Sequence, residues 1–374
     1  MKFRNIYFAL LLALFSCNNS TNNIKVGGLF ALSGGAVAYG EDVKKGTELA
    51  IEEINSTSPI KLELIIKDTK SEKNEAVKAF EDLVTLNKVS AILGPTTSPN
   101  AIVLGGLADQ YRIPMIVQVA TQDEVVKSNN YQRKFVTRIC FNDAFQGRVL
   151  ADYAYFDLKG KKAIIVYDNS VSYSVGLSDS FEKQFIKNGG EIVFKASYSV
   201  EQKDFRALIE KIALLDADFL FLPGWDENIG PMLRQAQNKW DKFVILGGDG
   251  ITTDKFIELS GGNLKNVYTL GHYNPNSENP KVKKFIDSYK NKYGVVPSPH
   301  AALGYDAVYV LYDAIKKSGK EKVSSDDIIE NLKKIKELEL VSGNISFDDS
   351  GDVIKSGVIL KVTKDGYEYV KTVN

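Results

Sequence analysis

The chain has 374 residues, with 47 lysines and arginines against 47 aspartates and glutamates, and 44% of its residues are hydrophobic. That length suits two domains with a core each, and the composition excludes disordered and fibrous chains. Nucleic acid is not an expected partner without a basic surplus, and Cys17, Cys140, His272 and His300 are too few and too scattered for a zinc site or a disulfide framework, so no metal or other cofactor is expected.

Residues 1–16 carry Lys2 and Arg4, no acid, and an apolar run over 6–15. This is the pattern of a signal peptide and too short to span a bilayer. Ser16-Cys17 followed by the polar stretch 18–23 resembles a bacterial lipoprotein signal, which implies acylation of Cys17. An ordinary secretory signal with a cysteine near its cleavage site is the alternative. No later apolar run reaches membrane-spanning length, so the reading is an exported protein, periplasmic or at the cell surface, held by lipid at Cys17 and otherwise soluble.

Aliphatic and β-branched runs at 24–32, 61–67, 89–93 and 114–119 predict strands, separated by segments with apolar residues at helical spacing. The segment 72–87 shows that spacing, with Ala76, Val77, Phe80, Leu83 and Val84 opposite Glu75, Lys78, Glu81 and Asp82. After a strand at 134–139 the alternation restarts. Strands at 163–167, 191–195, 219–222 and 243–246 interleave with helices near 175–187, 204–215 and 229–240. Then come helices at 280–293, 300–317 and 326–336, and strands at 344–347, 357–362 and 367–371. The pattern predicts an α/β fold of two doubly wound parallel-sheet lobes, with late helices returning to a lobe already begun.

Ligands of open α/β sheets lie beyond the carboxyl ends of the strands, which directs attention to the loops there. Ser98 followed by Pro99 reads as an N-cap with proline in the first helical position, and such a helix start also suits a carboxylate. Thr121 with Glu124 reads as a capping box on the next loop. Asp249, set between Gly248 and Gly250, is either a turn aspartate or the partner of an ammonium group. Tyr39, Tyr173 and Trp225 stand in loops where they could wall a small ligand or simply pack. No dinucleotide fingerprint, phosphate loop, nucleophile elbow or zinc-protease motif is present, so an enzyme is the minor alternative.

The ordered series Leu29-Phe30-Ala31-Leu32-Ser33-Gly34, Tyr39-Gly40, Gly94-Pro95-Thr96-Thr97-Ser98, Ala120-Thr121, Tyr173, Gly224-Trp225, Gly247-Gly248-Asp249-Gly250 and Gly304-Tyr305-Asp306-Ala307 resembles the solute-binding proteins of branched-chain amino acid ABC transporters, of the type I periplasmic binding fold. The resemblance covers nearly all of the chain beyond its leader. It implies that Ser98 and Thr121 hold a ligand α-carboxylate, that the Val119 carbonyl and Asp249 hold the α-ammonium, and that Tyr39, Tyr173 and Trp225 enclose the side chain. It implies a monomer that binds a branched-chain or other apolar amino acid by lobe closure and delivers it to permease subunits. A sensing role for a related amide or carboxylate solute is the alternative. The expected boundaries are a signal at 1–16, a polar tether at 17–23, a first lobe of 24–141 plus 272–343, and a second of 142–271 plus 344–374.

Overall fold

The computed structural model describes residues 22–128, 131–320 and 322–374, and the readings made at 1–17, Cys17 included, lie outside them. The chain begins with β1 (Asn22–Phe30), α1 (Val37–Thr57), β2 (Ile60–Asp68), α2 (Lys73–Glu81), β3 (Ala91–Leu93), α3 (Ser98–Tyr111) and β4 (Met115–Val117). A two-stranded ribbon of β5 (Lys127–Ser128) and β6 (Tyr131–Gln132) precedes β7 (Val136–Arg138). Strands β1, β2, β3, β4 and β7 form a parallel sheet in the order β2-β1-β3-β4-β7. Its central strands β3 and β4 are buried along their length, which is why they read as unbroken aliphatic runs. β1 starts at Asn22, inside the stretch expected to be a tether, because its first residues pair with Ile60 and Lys61 of β2.

The second half runs α4 (Asp143–Asp152), β8 (Lys162–Asp168), α5 (Ser172–Lys187), β9 (Glu191–Tyr198), α6 (Arg206–Ala213), β10 (Phe219–Leu222), α7 (Asp226–Ala236), β11 (Val244–Gly247), α8 (Asp254–Ser260) and β12 (Val267–Gly271). Helices α9 (Pro280–Tyr293), α10 (Pro299–Ser318) and α11 (Ser325–Lys333) then return to the first sheet. They are followed by β13 (Leu338–Leu340), β14 (Gly343–Phe347) and β15 (Val353–Ile354), and finally by β16 (Gly357–Thr363) and β17 (Gly366–Val373). The second sheet has the order β17-β16-β12-β11-β10-β8-β9, parallel except where β16 and β17 add in antiparallel fashion.

The expected return to the second lobe at 344 is too early. Ile345 and Phe347 of β14 are buried in the first core, because β14 pairs with β13 and β15 in a three-stranded sheet of its own, and only β16 joins the second sheet. The chain thus crosses between lobes three times, after β7, after β12 and between β15 and β16.

Helices α1 and α10 meet backbone to backbone. A Cβ on Gly46 would stand 1.9 Å from the Ala301 carbonyl oxygen, and one on Gly304 would stand 2.2 Å from that of Val43. This approach explains the glycine of the Gly-Tyr-Asp-Ala motif. At the first and third crossings, Arg138, with no exposed side-chain surface, donates to Asp352 through Nε at 2.9 Å and Nη2 at 2.5 Å.

Two stability predictions follow from this packing. Gly304→Ala should lower the unfolding free energy by about 2 kcal/mol through overpacking, while Gly35→Ala, with open space around it, should change it by less than about 0.5 kcal/mol in urea titrations. Burial pushes the Asp352 carboxyl up, but the Arg138 charge and its hydrogen bonds outweigh this and hold it below its ordinary value. A depressed carboxyl contributes stability above its unfolded pKa and loses it as pH falls through the folded one. Asp352→Asn should therefore cost about 3 kcal/mol at pH 7, with the difference from wild type shrinking below pH 4; equal losses at pH 7 and pH 3 would contradict the ion pair's role.

Candidate functional site

Every residue expected to bind the ligand falls where a strand of either sheet ends or a helix begins at the interface of the lobes. Tyr39, Ser98, Val119, Thr121, Tyr173, Trp225 and Asp249 all line one cleft, together with Thr96, Thr97, Gly250 and His300. The local reasons for several positions differ from those expected.

Ser98 is the first residue of α3, and Thr97 takes the cap position without a side-chain cap bond. Ser98 Oγ accepts from the Gln122 N–H at 3.3 Å, which leaves its own proton to donate into the cleft. Thr97 Oγ1 and both amide atoms of Asn100 are buried with no hydrogen-bond partner. The start of α3 therefore presents unmet polar groups and the positive end of a helix dipole.

The capping box at Thr121 and Glu124 does not form. A 3-10 turn at Asp123–Val125 is capped by Gln122, whose side-chain oxygen accepts the Glu124 N–H. Arg138 Nη1 draws the carbonyls of Thr121 and Gln122 to 2.8 Å each and so curls this loop away from a helical start. The Asp143 N–H instead donates to the Thr121 carbonyl at 2.9 Å, and burial raises the carboxyl of fully buried Asp143 well above its ordinary range.

Asp249 follows β11, and its carboxylate is almost fully enclosed. Oδ1 accepts from Gln146 Nε2 at 3.1 Å and from the Tyr173 hydroxyl at 3.0 Å, and Oδ2 lies 3.1 Å from His272 Nε2. A carboxylate offers about four acceptor directions, so one remains for the cleft. Burial holds this carboxyl above its ordinary value, although the bonds from Gln146 and Tyr173 lower it. Gly248 is required here, since a Cβ on it would approach the Tyr173 oxygen to 2.5 Å.

The Tyr39 hydroxyl, expected only as part of a wall, bridges the lobes. It lies 2.9 Å from Asp226 Oδ1 and 2.7 Å from the Gly250 carbonyl, and accepts the Asp226 N–H at 2.9 Å. Asp226 is also held by the Thr253 hydroxyl at 2.7 Å, and burial raises its carboxyl to about 6. Trp225 of the second lobe packs on Ala31, Ala36 and Tyr39 of the first.

Sequence reasoning missed Gln146, Asp226 and both histidines. His272 and His300, separated by 27 other residues, bring their rings to 6.4 Å, and burial keeps both uncharged, His300 at about 4. The signal for His300 was present. Ser298-Pro299 repeats the helix-start pattern of Ser98-Pro99, and Ser298 does cap its helix by accepting the Ala301 N–H at 3.2 Å.

Two lobes, three crossings and a polar cleft bridged by a single tyrosine define a bilobal ligand-binding protein. A sequence profile of periplasmic binding proteins matches residues 23–367, and the chain belongs to that family, whose members are exported and act outside the cytoplasm. It is 26% identical over 337 residues to a Leu/Ile/Val-binding protein homolog of Brucella melitensis, covering 88% of this chain and 89% of the relative. Among solved structures it is similar to the leucine-binding protein LivK of Thermotoga maritima, with 33% identity, a TM-score of 0.87 and coverage of 94% and 99% of the two chains. It is also similar to LivJ of Streptococcus pneumoniae in complex with isoleucine, with 32% identity, a TM-score of 0.86 and coverage of 93% and 99%. Among the described residues no helix is long and apolar enough to cross a membrane.

Tyr39→Phe removes every hydrogen bond that the hydroxyl makes across the cleft. The open-to-closed ratio should rise by about tenfold or more, as expected for bonds to a charged group, while circular dichroism is unchanged. Small-angle X-ray scattering should then show a larger radius of gyration than wild type; identical profiles with and without added amino acids would show that the hydroxyl does not hold the lobes together.

Proposed function

We propose that the protein is the solute-binding component of an ABC importer, which captures a branched-chain or other apolar amino acid between its lobes and delivers it to membrane permease subunits. The observation that carries this reading is the polarity of the cleft, where the Asp249 carboxylate on the second lobe opposes the Ser98 hydroxyl and the start of α3 on the first. A zwitterion meets both ends only when the lobes are together, so binding favours closure by the difference in contacts.

In this reading the Ser98 hydroxyl, Thr121 and the first amides of α3 receive the α-carboxylate. The Val119 carbonyl and the remaining acceptor direction of Asp249 receive the α-ammonium. Tyr39, Tyr173 and Trp225 surround the side chain, with His300 as a further wall. The relatives' names and the isoleucine in the Streptococcus pneumoniae structure support the ligand class. The protein acts as a monomer, performs no catalysis and is tethered by lipid at Cys17.

Titration of purified protein with leucine, isoleucine and valine tests this reading. A ligand bound by the native state alone raises the melting temperature, and Asp249→Ala should weaken its binding by about 100-fold or more with the fold intact. Unchanged calorimetric affinity in that variant would sink the assignment of the ammonium partner.

A further inference from the structure

His272 is not among the residues lining the cleft, yet it joins the cleft to the crossings between lobes. It stands directly after β12, at the second crossing, with no exposed surface. Its ring stacks on Phe141 of the first crossing, with centroids 3.9 Å apart and planes inclined by 21°. Its Nε2 faces Asp249 Oδ2 at 3.1 Å, and Nδ1 has no partner. Burial, assisted by the Lys355 charge of the third crossing, keeps the imidazole neutral. A neutral ring facing a carboxylate oxygen carries its proton on Nε2 and leaves a bare lone pair on Nδ1, which accounts for both observations.

We propose that His272 is a positioning residue for ligand capture, which fixes the Asp249 carboxylate through Nε2–H and, through its stack on Phe141, sets that carboxylate in register with the crossings about which the lobes turn. The proposal rests on the reading of Asp249 as the ammonium partner. It goes beyond that reading in assigning the alignment of the carboxylate to a residue that never meets the ligand. Among the described residues the Asp249 carboxylate is otherwise held only by Gln146 and Tyr173, both on helices of the second lobe, so His272 is its one hydrogen-bonding link to a crossing. A rotation that displaces the second crossing shifts the donor on Oδ2, and the affinity of the site follows the angle between the lobes.

Two variants separate the donor from the ring. His272→Phe keeps a ring on Phe141 and removes the donor, while His272→Gln keeps an N–H donor at comparable reach and removes the ring. Isothermal titration with isoleucine should show affinity at least tenfold weaker in His272→Phe and within about threefold of wild type in His272→Gln. The ligand-induced decrease in radius of gyration should be smaller in His272→Gln than in wild type. Urea midpoints report whether each variant remains folded. A ligand-free reading comes from carboxyl-carbon NMR, with the Asp249 resonance assigned by its loss in Asp249→Ala. Its titration midpoint should rise in His272→Phe, because the charged form loses a donor, and return towards wild type in His272→Gln, with Asp143, Cys140, Tyr173 and His300 as its other titratable neighbours.

An unshifted midpoint in His272→Phe, or equal losses of affinity in the two variants, overturns the proposal. If the midpoint shifts as expected but wild type binds neither isoleucine nor any other amino acid, the alignment of Asp249 stands and the assigned ligand class fails.

Discussion

A carboxylate withdrawn from water costs several kcal/mol unless donors replace its hydration, and the second lobe is arranged around meeting that cost for Asp249. The donors come from three separate elements, Gln146 on α4, Tyr173 on α5 and His272 after β12. Each imposes further constraints. Tyr173 reaches the carboxylate only because Gly248 has no side chain, and Gln146 also accepts the Asp249 N–H at 3.0 Å, which fixes the backbone as well as the side chain. The group that gives the cleft its negative end is therefore prearranged, and a cation brought to it would meet an oriented carboxylate with little left to reorganise.

The first lobe supplies the opposite polarity by different means. Among the described residues it offers the cleft no charged side chain, but hydroxyls, the neutral His300, a helix start and a buried Arg138 that binds backbone carbonyls from behind. Arg138 is also bound to Asp352, so the loop bearing Thr121 and two crossings share one guanidinium. Tyr39 then links the lobes through Gly250, which lines the cleft, and Asp226, which follows the cleft residue Trp225. The contacts that shape the cleft and those that join the lobes are largely the same contacts.

Much of this was legible in the sequence. Parallel strands buried on both faces declare themselves as aliphatic runs, and the loops after them brought seven separated residues to one cleft. The errors have physical causes. Ser98 and Thr121 have side chains suited both to capping a helix and to contacting a ligand, and at Thr121 the cap is replaced by Gln122 while Arg138 binds the loop carbonyls. β12 escaped notice because Tyr268 and Thr269 interrupt its aliphatic pattern. The sheet joined by β14 depends on strand pairing, which residue alternation does not report. His272 and Asp226 are defined by partners far away in sequence or on the opposite lobe, and nothing local marks them.

The meeting of α1 with α10 has a consequence for how the molecule comes into being. Gly46 can settle against Ala301 only after the intervening chain exists, and the first core includes Phe285, Leu303 and Phe347 from the last quarter of the sequence. Contacts this distant in sequence form slowly, because long loops must close before burial rewards them. The opening segment, although synthesised first, therefore has no finished interior while the rest is being made. For a protein destined to leave the cytoplasm, that delay preserves a threadable chain: the fold is completed late by the order of its own sequence.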